Sequence, residues 1–226
     1  MSHDVPMAPA TPATTTALLW AGVVAAALFV VVGAVEGALR PGYRATSMPV
    51  SALSLGSRGW VQVASFVITG LGMLACTIGV ARVLPGGVPG RGWAVGLLAA
   101  FSLGLVASGA FVMDPPPGAA GTITADAAEG AAVRTWHGVA HDVAGFVVFL
   151  SLAAAMLILG AGLVRTGWGR QIGLLSLATG AAVLVLFVAF VATSVVAPQV
   201  AGLVQRVLIL VGWSGLAWTA VLLARA

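Results

Sequence analysis

Six uninterrupted apolar runs, each long enough to cross a bilayer, leave this chain very few possible folds. They cover residues 17–39, 60–83, 93–113, 138–164, 171–196 and 206–224. A hydrocarbon core about 30 Å thick needs about 20 helical residues, and within it every backbone polar group must be satisfied by the protein itself. Runs of this length are of helix-spanning size, so the class is all-α: a polytopic bundle of six transmembrane helices over 17–226. The Pro/Ala/Thr-rich stretch 1–16, MSHDVPMAPATPATTT, is expected to be a disordered tail. The first run lacks the basic flank of a signal peptide and is too long for one, so it is read as a retained span.

Composition excludes the main alternatives. The chain is 60% hydrophobic and 7% charged, whereas soluble domains carry about a quarter charged residues. The basic balance does not point to nucleic acid, because the arginines stand singly between apolar spans and form no patch. The lone Cys76 falls mid-span, which rules out an internal disulfide and a cysteine-based metal site. No cofactor is implied. The expected partners are membrane lipids and a lipophilic small molecule, and the oligomeric state is not encoded legibly.

An even number of spans puts both termini on one side of a cell membrane. The linkers RVLPGGVPGRG and RTGWGRQ are short, Gly-rich and basic without acids, the habit of cytoplasmic loops. This makes both termini cytoplasmic, although the arginines divide five and five. Arg82, Arg91, Arg165, Arg170 and Arg225 lie inside, and Arg40, Arg44, Arg58, Arg134 and Arg206 outside. Trp20, Trp60, Trp93, Trp136 and Trp168 stand near span starts, as an aromatic belt requires. Small residues such as Gly70 with Gly72, and Gly160 with Gly162, favour close helix approach.

The same topology gathers the scarce polar groups under the outer leaflet: Glu36, Gln62, Asp114, His137, His141, Asp142, Gln199, Gln205 and Arg206. His137 and His141 are four apart and share a helix face, about 6 Å apart along the axis, with Arg134 extending the stripe and Asp142 beside it. Such a pair is a possible zinc half-site, with Asp114 or Glu36 as third ligand, or else a hydrogen-bonded neutral pair. Asp114 precedes three prolines that must end its helix, which places the carboxylate at the unfavourable end of a helix dipole. It therefore needs a partner, for which Arg58, Arg134 and His137 are candidates, or keeps its proton, unless it is simply solvated at the loop edge. Glu36 precedes Arg40 by one turn and is either its ion-pair partner or a buried acid. The loop RPGYRATSMPVSALSLGSRGW, with Tyr43, Ser51, Ser54 and Arg58, is long enough to cap a pocket as a re-entrant segment.

SALSLGSRGWVQVASFVITG, SGAFVMDPPPG, WHGVAHDVAGFVVF and GLVQRV together resemble a family of bacterial and archaeal six-helix membrane proteins, domain-of-unknown-function family 998. The resemblance covers roughly 17–224 and implies six helices and shared polar positions at Ser51, Gly56, Trp60, Asp114, His137, Gln205 and Arg206. It implies no reaction. The residues themselves admit a membrane enzyme acting on a prenyl, terpenoid or other lipid substrate, such as a terpene cyclase. In it Asp114 or Glu36 would be the general acid, with His137 or His141 reloading it. Trp60 and Trp136 would stabilise a carbocation, and Gln62, Arg58, Arg134, Asp142, Gln205 and Arg206 would line the substrate site. A metal-dependent hydrolase on His137, His141 and Asp114, a proton-coupled transporter and a non-catalytic lipid-binding subunit are the alternatives.

Overall fold

The computed structural model describes residues 12–116 and 134–225. It contains α1 (Ala13–Leu39), α2 (Gly59–Val83), α3 (Arg91–Ala110), α4 (Trp136–Thr166), α5 (Arg170–Val196) and α6 (Pro198–Leu223). A short 3-10 turn, Val50–Ser54, lies in the α1–α2 connection. All six helices are long and apolar enough to cross a membrane, and the chain is a multi-pass integral membrane protein on that ground. Most of the expected disordered tail lies outside the described residues, but 13–16 form the first turn of α1.

Each helix packs on its neighbours in sequence, and α6 returns onto α1, closing a ring. Aromatic rings fill its centre: Trp213 sits 5.7 Å from Phe29, 5.2 Å from Phe101 and 6.1 Å from Phe149, centroid to centroid. Small residues set the spacing between helices. A Cβ on Gly160 would stand 2.6 Å from the Gly173 carbonyl oxygen, so α4 and α5 touch there backbone to backbone. Gly70 meets α3, whereas Gly72 meets α1, so this pair serves two interfaces.

Two of the boundaries that differ from the sequence reading bear on the site. The third helix stops at Ala110 rather than residue 113, and 112–116 run on without helical or turn structure. The sixth begins at Pro198, eight residues before the expected 206, with only Ala197 separating it from α5. Proline suits a first helical turn because its missing N–H has no intrahelical partner there anyway. Gln205 and Arg206 consequently lie about two turns inside α6, roughly 10–12 Å along its axis.

The 40–58 connection folds back to meet them. Leu203 N–H donates to the Thr46 carbonyl at 2.9 Å. A Cβ on Gly202 would stand 2.4 Å from the Met48 carbonyl oxygen and 2.7 Å from that of Ala45, so only glycine admits the loop backbone there. Tyr43, Val50, Leu53 and Ser54 are buried, as a re-entrant cap requires.

Gly160→Leu is expected to destabilise the bundle by about 1–3 kcal/mol through overpacking. Gly96→Leu, at a position with open space, should stay near wild type. Thermal unfolding in one detergent compares the two.

Candidate functional site

Side chains from α1 and α6 hold the loop. Arg40 is buried and donates to the carbonyls of Leu55 at 2.7 Å and Leu53 at 3.1 Å. Its charge is met by Glu36 at 3.4 Å, and the same carboxylate accepts from Arg58. Glu36 is thus buried between two guanidinium groups, one enclosed with it and one half-exposed. From α6, Arg206 donates to the carbonyls of Ala45, Met48 and Gly202 and to the Tyr43 hydroxyl. Gln205 accepts from Val50 N–H at 2.7 Å. Burial pushes the Tyr43 phenol above its usual range, an effect partly opposed by Arg206.

The 111–116 segment is held separately. Asp114 accepts from the backbone N–H of Thr135 at 3.0 Å and from its hydroxyl at 2.6 Å. The Thr135 hydroxyl in turn accepts from Gly138 N–H at 3.1 Å and caps α4. Asp114 therefore rests on the favourable N-terminal end of a helix dipole, not the unfavourable end expected from its prolines. The reason is the extended crossing from Ala110, which carries it away from α3. A Cβ on Gly138 would stand 2.0 Å from a carboxylate oxygen of Asp114, so the contact requires glycine.

Beneath the loop lies a cavity of about 200 Å3 within the ring, reached by all six helices. Its walls are mainly aromatic, with Phe29, Phe66, Phe149, Phe187 and Trp213 prominent, and its polar residues are Ser51, Ser108, His141, Asp142 and Gln205. Phe146 and Val191 also line it, yet they are 48% and 38% exposed, so the cavity reaches the outer surface between α4 and α5. His141 is buried, and its Nδ1 lies 2.8 Å from the Phe111 carbonyl and 3.2 Å from that of Ser108. Carbonyls only accept, so a neutral ring carries its proton on Nδ1 and leaves Nε2 as the acceptor. Nε2 has no hydrogen-bond partner among the described residues.

The expected polar groups share one end of the bundle but do not form one cluster. His141, Asp142 and Gln205 reach the cavity, whereas Glu36, Asp114 and His137 do not line it. His137 is exposed, its ring tilted at 44° against that of Trp136. Trp60 and Trp136 are 70% and 66% exposed and face outward, which removes them from the cavity wall. Arg134 pairs with Asp142 at 2.9 Å, and Arg58 with Glu36, so neither is the partner of Asp114. Arg206 serves the loop. Gln62 is fully buried, with both amide atoms lacking a partner among the described residues. Among the described residues no three His, Cys, Asp or Glu side chains come together as metal ligands, so His137, His141 and Asp114 do not assemble the suggested half-site. Sequence reading missed Trp213 and the mid-span phenylalanines; their signal was aromatic rings far from any interface. Asp126 and Glu129 lie outside the described residues.

The chain belongs to the family described as "Protein of unknown function (DUF998)", which it matches over residues 23–224. No curated protein and no solved structure matches it.

Asp114→Ala should cost about 1 kcal/mol by releasing Thr135, which caps α4. Gly138→Ala should cost a similar amount, and the double variant should fall short of the sum because both act on one contact. Chemical denaturation of the three variants checks this. The raised Tyr43 pKa has a further consequence. Above about pH 10 the unfolded chain releases the phenolic proton while the folded chain retains it, so stability falls as pH rises. Tyr43→Phe should flatten that slope in melting curves taken between about pH 9 and 11.

Proposed function

We propose that this DUF998 family member takes one lipophilic molecule, of the prenyl or lipid class, into the ring of helices and presents its polar end to His141. The observation that carries the reading is the cavity itself. It has aromatic walls, an opening toward lipid between α4 and α5, and one histidine whose Nδ1 is committed to α3 carbonyls. Such sites are mainly apolar, with a few placed polar groups that fix orientation.

Proton transfer at His141 Nε2 is the chemistry on offer. With Nδ1–H held by Phe111 and Ser108, the neutral ring is oriented to accept a proton or a hydrogen bond from a bound hydroxyl. Acid-initiated cyclisation is less well supported than binding with proton acceptance. Glu36 and Asp114 lie off the cavity wall, and Asp142 is engaged by Arg134. The short basic linkers at the opposite end favour an extracytoplasmic position for the loop and its cavity.

Gly145 provides the test, because it lines the cavity and has nothing within 4 Å of its side-chain position. Gly145→Phe should fold normally and fill the space. Protein purified from membranes in mild detergent, then extracted and analysed by mass spectrometry, should carry a lipophile enriched over bulk lipid. The variant should lose that enrichment about tenfold. Equal enrichment in a folded Gly145→Phe protein would reject the reading. If the bound molecule is turned over, His141→Gln should abolish product while leaving the molecule bound.

A further inference from the structure

A second concavity adjoins the cavity and differs from it in character. It is a groove of about 660 Å3 between loop residues 44–49, the end of α5 and the start of α6. Its polar residues are Arg44, Thr46, Ser47, Ser194 and Gln199. Pro49 and Phe190 line both spaces, so the groove and the cavity adjoin at these two residues.

The electrostatics of the groove point one way. No Asp or Glu among the described residues lines it. Arg44 is exposed, and its one side-chain hydrogen bond among the described residues is to Ser47 at 3.5 Å. The three described carboxylates are engaged elsewhere: Glu36 by Arg40 and Arg58, Asp114 by Thr135, and Asp142 by Arg134. The groove thus presents a cation with no counter-charge among the described residues, together with hydroxyl and amide side chains. The last turn of α5 and the first turn of α6 meet at Ala197, so their opposite dipole ends offset there and Arg44 is the charge the groove presents.

We propose that groove and cavity form one site for an anionic amphiphile, with the apolar chain among the aromatic rings and a phosphate-class head group on Arg44. This rests on the cavity reading above and adds the chemical class of the ligand's head. An arginine suits that head because its planar donors match phosphate oxygens, and the hydroxyl and amide side chains around it complete the shell.

The full chain in phosphatidylcholine nanodiscs, with empty discs as background, tests the assignment by equilibrium dialysis of three probes: geranyl phosphate, geraniol and inorganic phosphate. Geranyl phosphate should bind at least about tenfold more tightly than geraniol, since charge-assisted hydrogen bonds are the strong ones. The preference should shrink as salt is raised, because Arg44 is exposed. Inorganic phosphate should not bind measurably, as it lacks the chain. Arg44→Gln should erase the preference for phosphate over alcohol, and Arg82→Gln at the opposite end should leave it intact. If both geranyl probes bind equally and Arg44→Gln changes nothing, the head-group assignment is overturned while the cavity reading stands. If inorganic phosphate binds as well as geranyl phosphate, the site is a free-anion site and the amphiphile is overturned. If no geranyl probe binds, or Gly145→Phe binds them as wild type does, both readings fail.

Discussion

Guanidinium groups bonded to loop carbonyls are what allow this bundle to have an interior at its loop end. Irregular backbone at membrane depth is tolerated only where its N–H and C=O groups find partners inside the protein. Arg40 supplies donors to Leu53 and Leu55, Arg206 to Ala45 and Met48, and Gln205 accepts from Val50. The charge of Arg40 is matched by Glu36, which Arg58 also engages, so one carboxylate serves two cations around a single loop. Deleting one partner of such a cluster strands the other, which is why buried pairs are costly to break even where their net contribution is small.

The cavity follows from that arrangement. On one side Trp213 packs against Phe101, while on the other it forms part of the cavity wall with Phe29 and Phe149. Near the loop end the backbone of 49–51 replaces a helix as the lid, and its short side chains leave space. Each even-numbered helix buries an amide or imidazole side chain near the loop end: Gln62 from α2, His141 from α4 and Gln205 from α6. Two of them line the cavity, while Gln62 lies outside its wall. The sequence motifs WVQ, WHGVAH and LVQ hint at this repetition, but only packing separates a ligand-facing role from a loop-holding one.

His141 and His137 show how far spacing alone carries an inference. Four residues apart, they share a helix face along the axis, yet one is buried against the carbonyls of α3 and the other is exposed beside Trp136. The turn of helix between them crosses the boundary of the bundle. Asp114 is a parallel case. Its prolines correctly foretell a helix end, but the residues after Ala110 carry it to a different helix, where the dipole has the opposite sign.

Sequence by itself determined the class, the number of spans, the shared end of the polar residues and the presence of a capping loop. Those depend on run length, charge scarcity and helix direction, all local or additive quantities. Tertiary structure decided which polar groups face the interior, which hold the loop, and where α6 begins. Those outcomes turn on helix rotation and on contacts between residues more than a hundred positions apart, such as Gln205 with Val50. No periodicity reports such pairings, because a lipid-facing surface and a protein core are both apolar and leave the same pattern in the chain.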